Sequence, residues 1–194
     1  DVSDIEPGFF YGTDLSDTLN LADAVFVDLK EGNDQLTTGS GEQTILAGAG
    51  SDTVNAGAGN DVVLGGAGDD TLSAEAGDDS LYGGENADKL YGGEGNDVLA
   101  GDSGNDELYG DAGSDYLYGG KGNDHLHGGT ENDFLDGGEG DDTYHYNTGD
   151  GHDIIRDEIG NDKLIINGQT ITTITEDSPG SKTYTDDYNN TYYL

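Results

Sequence analysis

Gly65-Gly66-Ala67-Gly68-Asp69-Asp70-Thr71-Leu72-Ser73 and Gly92-Gly93-Glu94-Gly95-Asn96-Asp97-Val98-Leu99-Ala100 are two copies of one nine-residue phrase. It is written eleven times through residues 47–145 without insertion or deletion. The sixth place is Asp in every copy: Asp52, Asp61, Asp70, Asp79, Asp88, Asp97, Asp106, Asp115, Asp124, Asp133 and Asp142. The eighth is apolar or aromatic in every copy, from Val54, Val63, Leu72 and Leu81 through Leu90, Leu99, Leu108, Leu117, Leu126 and Leu135 to Tyr144. So strict a period means that each copy is one structural unit stacked on its neighbours.

The glycines near the start of each phrase let the backbone take positive φ, which side chains with a Cβ resist. They predict a tight turn. The next triplet, such as Thr71-Leu72-Ser73 or Glu107-Leu108-Tyr109, alternates polar, apolar, polar. It predicts a three-residue strand with one side chain facing inward. Turn, strand, turn, strand makes a coil of two phrases, or eighteen residues. Coils stacked at about 4.8 Å form two parallel sheets with the eighth-place side chains between them.

Turns of equal parity then lie above one another, so each edge of the stack carries a column of carboxylates and turn carbonyls. Two unit charges about 4 Å apart repel by about 1 kcal/mol even in bulk water, and by more near a protein surface. A divalent cation that prefers oxygen removes the conflict. Many oxygens on adaptable loops suit Ca²⁺ better than Mg²⁺, which demands octahedral geometry and keeps its waters. Zn²⁺ would want Cys or clustered His, and the chain has no Cys.

The phrase G-G-x-G-x-D-x-(apolar)-x resembles the RTX nonapeptide, over about residues 29–165. The resemblance implies an all-β fold: a right-handed parallel β-roll (two parallel sheets of nine-residue repeats) with Ca²⁺ between stacked turns. It implies export by a type I secretion system, with folding on meeting extracellular Ca²⁺. It also implies that the sixth-place Asp side chains and turn carbonyls are the ligands, at the eleven Asp positions above. Asp153 stands in the same place of a later phrase, Thr148-Gly149-Asp150-Gly151-His152-Asp153-Ile154-Ile155-Arg156, after two inserted residues. Alternate turns, Asp52 to Asp142 on one edge and Asp61 to Asp133 on the other, give a ceiling of nine intact sites. Roughly six to nine ions are expected.

The chain has 194 residues, with 35 Gly, no Met and no Trp, and a formal net charge of −36 carried against six basic residues. That balance excludes nucleic acid as a partner. No apolar run is long enough to span a membrane. High charge, abundant Gly and few large apolar residues match disordered compositions. The repeat argues instead for order that depends on something added, so the metal-free chain is expected to be mostly unfolded. The chain opens Asp1-Val2-Ser3-Asp4, without a start Met or signal peptide, and is expected to be a segment of a larger protein.

Three parts are expected. Residues 1–28 are a degenerate, capping opening, with Phe9, Phe10 and Tyr11 over the first coil. Residues 29–165 are the roll. Over residues 21–46, which stay near the frame, Val25 and Gln43 replace the sixth-place Asp while Asp34 keeps it, so few or no ions are expected before about residue 47. Asn86 and Glu131 replace the third glycine; Asn visits the left-handed region readily, Glu does not. Residues 166–194 form a C-terminal antiparallel hairpin cap. Asn167-Gly168 between β-rich arms is a hairpin signal. Asp177-Ser178-Pro179-Gly180 is a turn, and 182–186 with 191–194 reads as a second hairpin, blunting the open edge.

Gly101-Asp102-Ser103-Gly104 imitates a serine-protease signature but lies in frame as a turn, and no other catalytic motif accompanies it. His125, His127 and His145 share an outward row with Tyr91 and Tyr109, while Tyr82 and Tyr118 fall on the opposite sheet. Cross-coil stacking is the plain reading of that row; a transition-metal site and a sugar-binding strip are the functional ones. The functional expectation is a non-enzymatic calcium-binding module at or near the end of a secreted toxin, adhesin or exoenzyme, extracellular or at the cell surface. Its partners would be calcium ions and, through the parent protein, the type I secretion machinery. The alternative is a glycan-binding module, because the chain is also similar to the R-modules of mannuronan C5-epimerases, which accompany alginate catalysis.

Overall fold

A computed structural model of the chain describes residues 8–22, 24–157 and 160–171, plus the backbone of three further strands, Thr175–Ser178, Ser181–Thr185 and Thr191–Tyr193. Among these residues there is no helix, and the strands of the roll alternate between two sheets. One sheet runs through nine strands from Phe9–Tyr11 by way of Val62–Ala67, Ser80–Glu85 and Val98–Ser103 to Ile154–Arg156, all parallel. The other runs from Thr18–Leu21 by way of Lys89–Glu94, Glu107–Ala112 and His125–Thr130 to Lys163–Ile166, also parallel, and ends on Gln169–Ile171. Each coil therefore contributes one strand to each sheet, which is the two-sheet parallel β-roll the period implies.

Register follows the period. Leu90 lies beside Leu108, Leu108 beside Leu126, and Leu99 beside Leu117, each eighteen residues on. The eighth-place side chains from Val27 to Leu135 are at most 2 % exposed and form one continuous core with Tyr144, Ile155 and Leu164. The first coil is one residue shorter, pairing Phe10 with Val27, and the last is two longer, pairing Leu135 with Ile155.

The strands are longer than the triplet predicts. From Val62 to Glu139 they have six residues each, such as Glu107–Ala112. Ladder pairing continues through the glycine pair, as Gly93 with Asp111 and Glu94 with Ala112 show. A second side chain therefore faces inward, at the first place of the phrase. In Thr71–Ala76 both Leu72 and Ala74 are buried. The second and fourth places do take positive φ, for example Gly93 at 111° and Gly95 at 135°. Glu131 holds φ 85° and Asn86 φ 81°, so both keep the turn geometry of the glycine they replace. For Glu this is a strained conformation.

The tail is antiparallel. Lys163–Ile166 turns through Asn167 (φ 49°) and Gly168 (φ 76°) into Gln169–Ile171. Two central residues with positive φ are what a tight hairpin needs. This antiparallel strand occupies the open edge of the ten-stranded sheet. Ser181–Thr185 pairs with both Thr175–Ser178 and Thr191–Tyr193 in a separate three-stranded sheet. The second hairpin is thus joined by a third strand, while Pro179, Gly180, Asp186 and Leu194 lie outside the described residues.

Candidate metal centre

The turns bring the sixth-place Asp residues into two columns. In one, the backbone N–H of Asp52 donates to Oδ1 of Asp70, and that link repeats through Asp88, Asp106, Asp124 and Asp142 to Asp162, at 2.8–3.0 Å. In the other, Gln43 donates to Asp61, and the chain of bonds runs through Asp79, Asp97, Asp115 and Asp133 to Asp153, at 2.6–3.1 Å. All twelve Asp residues read from the sequence as ligands lie in these columns. The first column also extends backward to Asp34, whose Oδ1 accepts from the N–H of Asp17 and whose N–H donates to Asp52. Asp34 is only 1 % exposed, so the column begins earlier than residue 47. Gln43 stands in the second column as a neutral, buried replacement, and Val25 is exposed.

One oxygen of each carboxylate is thereby used. The other is not. Among the described residues, Oδ2 of Asp34, Asp52, Asp61, Asp70, Asp79, Asp88, Asp97, Asp106, Asp115, Asp124, Asp133 and Asp142 is buried and has no hydrogen-bond partner. Burying an anionic oxygen without a partner is costly. The surroundings offer it more acceptors. A Cβ built on Gly110 would lie 2.4 Å from Asp115 Oδ2 and 2.4 Å from the carbonyl oxygen of Gly128; on Gly119 the corresponding distances are 2.4 Å to Asp124 Oδ2 and 2.6 Å to the Gly137 carbonyl. Glycine at the first place leaves a small room lined by one carboxylate oxygen and one carbonyl oxygen of the next coil. A hard, oxygen-preferring cation fits this donor set.

Burial is the main force on these carboxyls. It pushes Asp70, Asp79, Asp88, Asp115, Asp124 and Asp133 up to about 7, and Asp61, Asp97, Asp106 and Asp153 up to about 6. The backbone N–H bond opposes this in each case. Neighbouring carboxylates of the same column add to the rise, as Asp70 and Asp106 do at Asp88. Lys89 is engaged on the outer face, 2.7 Å from Glu107.

The outward row also forms as its spacing predicts. The rings of Tyr91, Tyr109, His127 and His145 stack in sequence, with centroids 5.0, 4.5 and 3.9 Å apart. Each interior ring thus gives its faces to its neighbours, which leaves edges rather than faces for a sugar to meet. His125 Nδ1 lies 3.3 Å from His145 Nε2, and among the described residues no third His or carboxylate completes a ligand group with that pair. Burial, then His145, pushes His127 down to about 4, so the stack is neutral there at ordinary pH.

One further group escaped the sequence reading. Asp142, Asp157 and Asp162 each offer a carboxylate oxygen, and the three lie within 4.8 Å of one another. Beside them the Tyr144 hydroxyl accepts from the Gly137 N–H at 2.7 Å and donates to Asp157 Oδ2 at 2.6 Å. Burial and that bond raise the Tyr144 phenol far above its ordinary value, so it remains a donor.

Six overlapping stretches, 30–63, 37–72, 64–99, 91–126, 118–150 and 147–165, match the RTX calcium-binding nonapeptide repeat (4 copies). No curated protein gives a significant match.

Proposed function

Because the chain belongs to the family of RTX calcium-binding nonapeptide repeats, we propose that it is a module whose fold is completed by Ca²⁺ held in the two aspartate columns. The ligands would be Asp52, Asp61, Asp70, Asp79, Asp88, Asp97, Asp106, Asp115, Asp124, Asp133, Asp142 and Asp153, together with turn carbonyls of adjacent coils, for roughly six to nine ions. The observation that carries the reading is the set of buried Oδ2 atoms without partners, on eleven of these residues, from Asp52 to Asp142, and on Asp34. Ca²⁺ there supplies positive charge to oxygens that the polypeptide leaves unsatisfied. The ions hold coil to coil and cancel repulsion along a chain of net charge −36.

Repeats of this family are typical of secreted bacterial proteins. We therefore read the chain as an extracellular or cell-surface part of a larger secreted protein, a toxin, adhesin or exoenzyme. It stays unfolded where Ca²⁺ is scarce, passes through a type I secretion system and folds outside. Its role is folding and stability, not catalysis. Among the described residues no helix is long and apolar enough to cross a membrane.

Far-ultraviolet circular dichroism of the chain in millimolar Ca²⁺ and in EDTA, at neutral pH, tests this. Strand signal should be strong in Ca²⁺ and largely lost in EDTA, and return when Ca²⁺ is restored. A spectrum indifferent to EDTA would overturn the reading.

A further inference from the structure

The last coil differs from the others at the first place of its phrase. Counting back from Asp162 at the sixth place, Asp157 stands at the first, where Gly83 through Gly137 stand in the preceding coils. That place faces the interior. In the repeat, the room beside the first-place Gly is bounded by a carboxylate oxygen and a carbonyl of the next coil, as at Gly110 and Gly119. At Gly137 the second boundary changes. A Cβ there would lie 2.3 Å from Asp142 Oδ2 and 2.4 Å from the Tyr144 hydroxyl. Tyr144 is also the one aromatic among the eleven eighth-place residues of 47–145. Both departures from the repeat thus converge on the same few cubic ångströms.

We propose that Asp157 joins Asp142 and Asp162, the last two members of the first aspartate column, in a Ca²⁺ seat that closes the roll, with Asp157 held in position by the Tyr144 hydroxyl. The seat rests on the reading that Ca²⁺ occupies the aspartate columns, and Asp157 is the donor that sets it apart from the coils before it. Oxygens around one Ca²⁺ at about 2.4 Å each can be at most about 4.8 Å apart, and the three carboxylate oxygens meet that bound. A second observation points the same way. Asp142 is 0 % exposed, and its Oδ2 has no partner while lying beside this cluster. Three carboxylates in one place repel each other; a hydrogen bond from one tyrosine does not offset that, and a divalent cation does. The extra charge relative to the repeat's carboxylate-and-carbonyl rooms gives this seat the stronger pull on a hard cation. Tyr144 is a positioning residue here, bridging Gly137 and Asp157.

Asp157→Asn tests the seat, because an amide oxygen still accepts from the Tyr144 hydroxyl while the charge is gone. Native mass spectrometry of the Ca²⁺-loaded chain should show one ion fewer than in the unaltered protein, with the Ca²⁺-dependent dichroism unchanged. An unchanged ion count would overturn the proposal and leave Asp157 as a hydrogen-bond acceptor only. Anomalous diffraction from a crystal of the unaltered chain grown with Tb³⁺ gives a readout that needs no variant. A peak within bonding distance of Asp157, Asp142 and Asp162 supports the seat, and peaks along the columns without one there overturn it. Failure of the broader reading looks different: no ions anywhere, and dichroism indifferent to Ca²⁺.

Discussion

Up to residue 80 the first place of the phrase carries Leu29, Thr38, Ala47, Ala56, Gly65 and Ala74; from Gly83 to Gly137 it is Gly seven times running. The early side chains face inward, and Leu29, Ala47, Ala56 and Ala74 are part of the buried core. The later coils give up that hydrocarbon for the small oxygen-lined rooms seen at Gly110 and Gly119, an arrangement the early half has once, at Gly65. Eighth-place side chains are buried in both halves, whereas most strands before Val62 have three or four residues and those from Val62 to Glu139 have six. The contrast lies in what the first place adds to the shared eighth-place core, apolar contact in most coils before Gly83 and closely approaching oxygens after it.

Metal withdrawal should separate the halves most sharply. In EDTA at neutral pH, hydrogen exchange should proceed freely through 83–145, while amides in 27–76 keep measurable protection. Equal exchange in both regions would break the comparison. Acid comes next. Ten of the column carboxyls, from Asp61 to Asp133 and Asp153, have folded values raised to about 6–7 from an ordinary 3.8, so the roll binds protons more tightly than the unfolded chain does. The contribution of these carboxyls to metal-free stability is therefore fully present below about pH 4 and is lost as pH rises through about 6–7. Strand signal in EDTA should grow as pH falls from 7.5 to 4, and Ca²⁺ affinity should weaken over the same range. A metal-free chain no more ordered at pH 4 than at pH 7.5 would contradict this.

Exchanging the first-place residues gives a smaller, opposite pair of effects. Gly110→Ala puts a methyl group against the Gly128 carbonyl and Asp115 Oδ2, and should lower stability in Ca²⁺ by about 2–3 kcal/mol. Ala74→Gly removes one buried methyl and stiffening of the chain, for about 1–2 kcal/mol. Melting curves in Ca²⁺ and EDTA measure both, and the Gly110→Ala penalty should shrink in EDTA. Smallest is Tyr109→Ala, which interrupts the outer stack between Tyr91 and His127 and should cost about 0.5–1 kcal/mol in Ca²⁺.

The period made much of this visible in advance. An apolar residue every nine positions located the core, and an Asp every nine located both columns from Asp52 to Asp153, while Asp34 and Asp162, which also keep the sixth place, were not among the expected ligands. Equal spacing by eighteen also placed Tyr91, Tyr109, His127 and His145 in one row. The inward direction of the first place was not legible. Glycine has no side chain to reveal which way it points, and the short triplet suggested that the strand had already ended. Nor was Asp157 legible. The two residues inserted after Tyr144 shift the frame, and nothing in the letters says that a phenol has replaced a leucine in order to reach an acid thirteen residues on. The strained Glu131 is the opposite case: the sequence flagged it, and its φ of 85° shows that the turn overrides the side chain's preference.

From Asp70 to Asp142, each Asp in the columns accepts the backbone N–H of the Asp eighteen residues before it. The molecule is therefore graduated, like a rule, in units of two phrases. Cutting out one such unit, such as 83–100, rejoins edges that already match in parity, core and column. Cutting out nine residues sends all that follows to the opposite sheet, setting aromatic rows against unrelated neighbours. Length in this architecture is free to drift between relatives in whole steps of eighteen, while half-steps break the row.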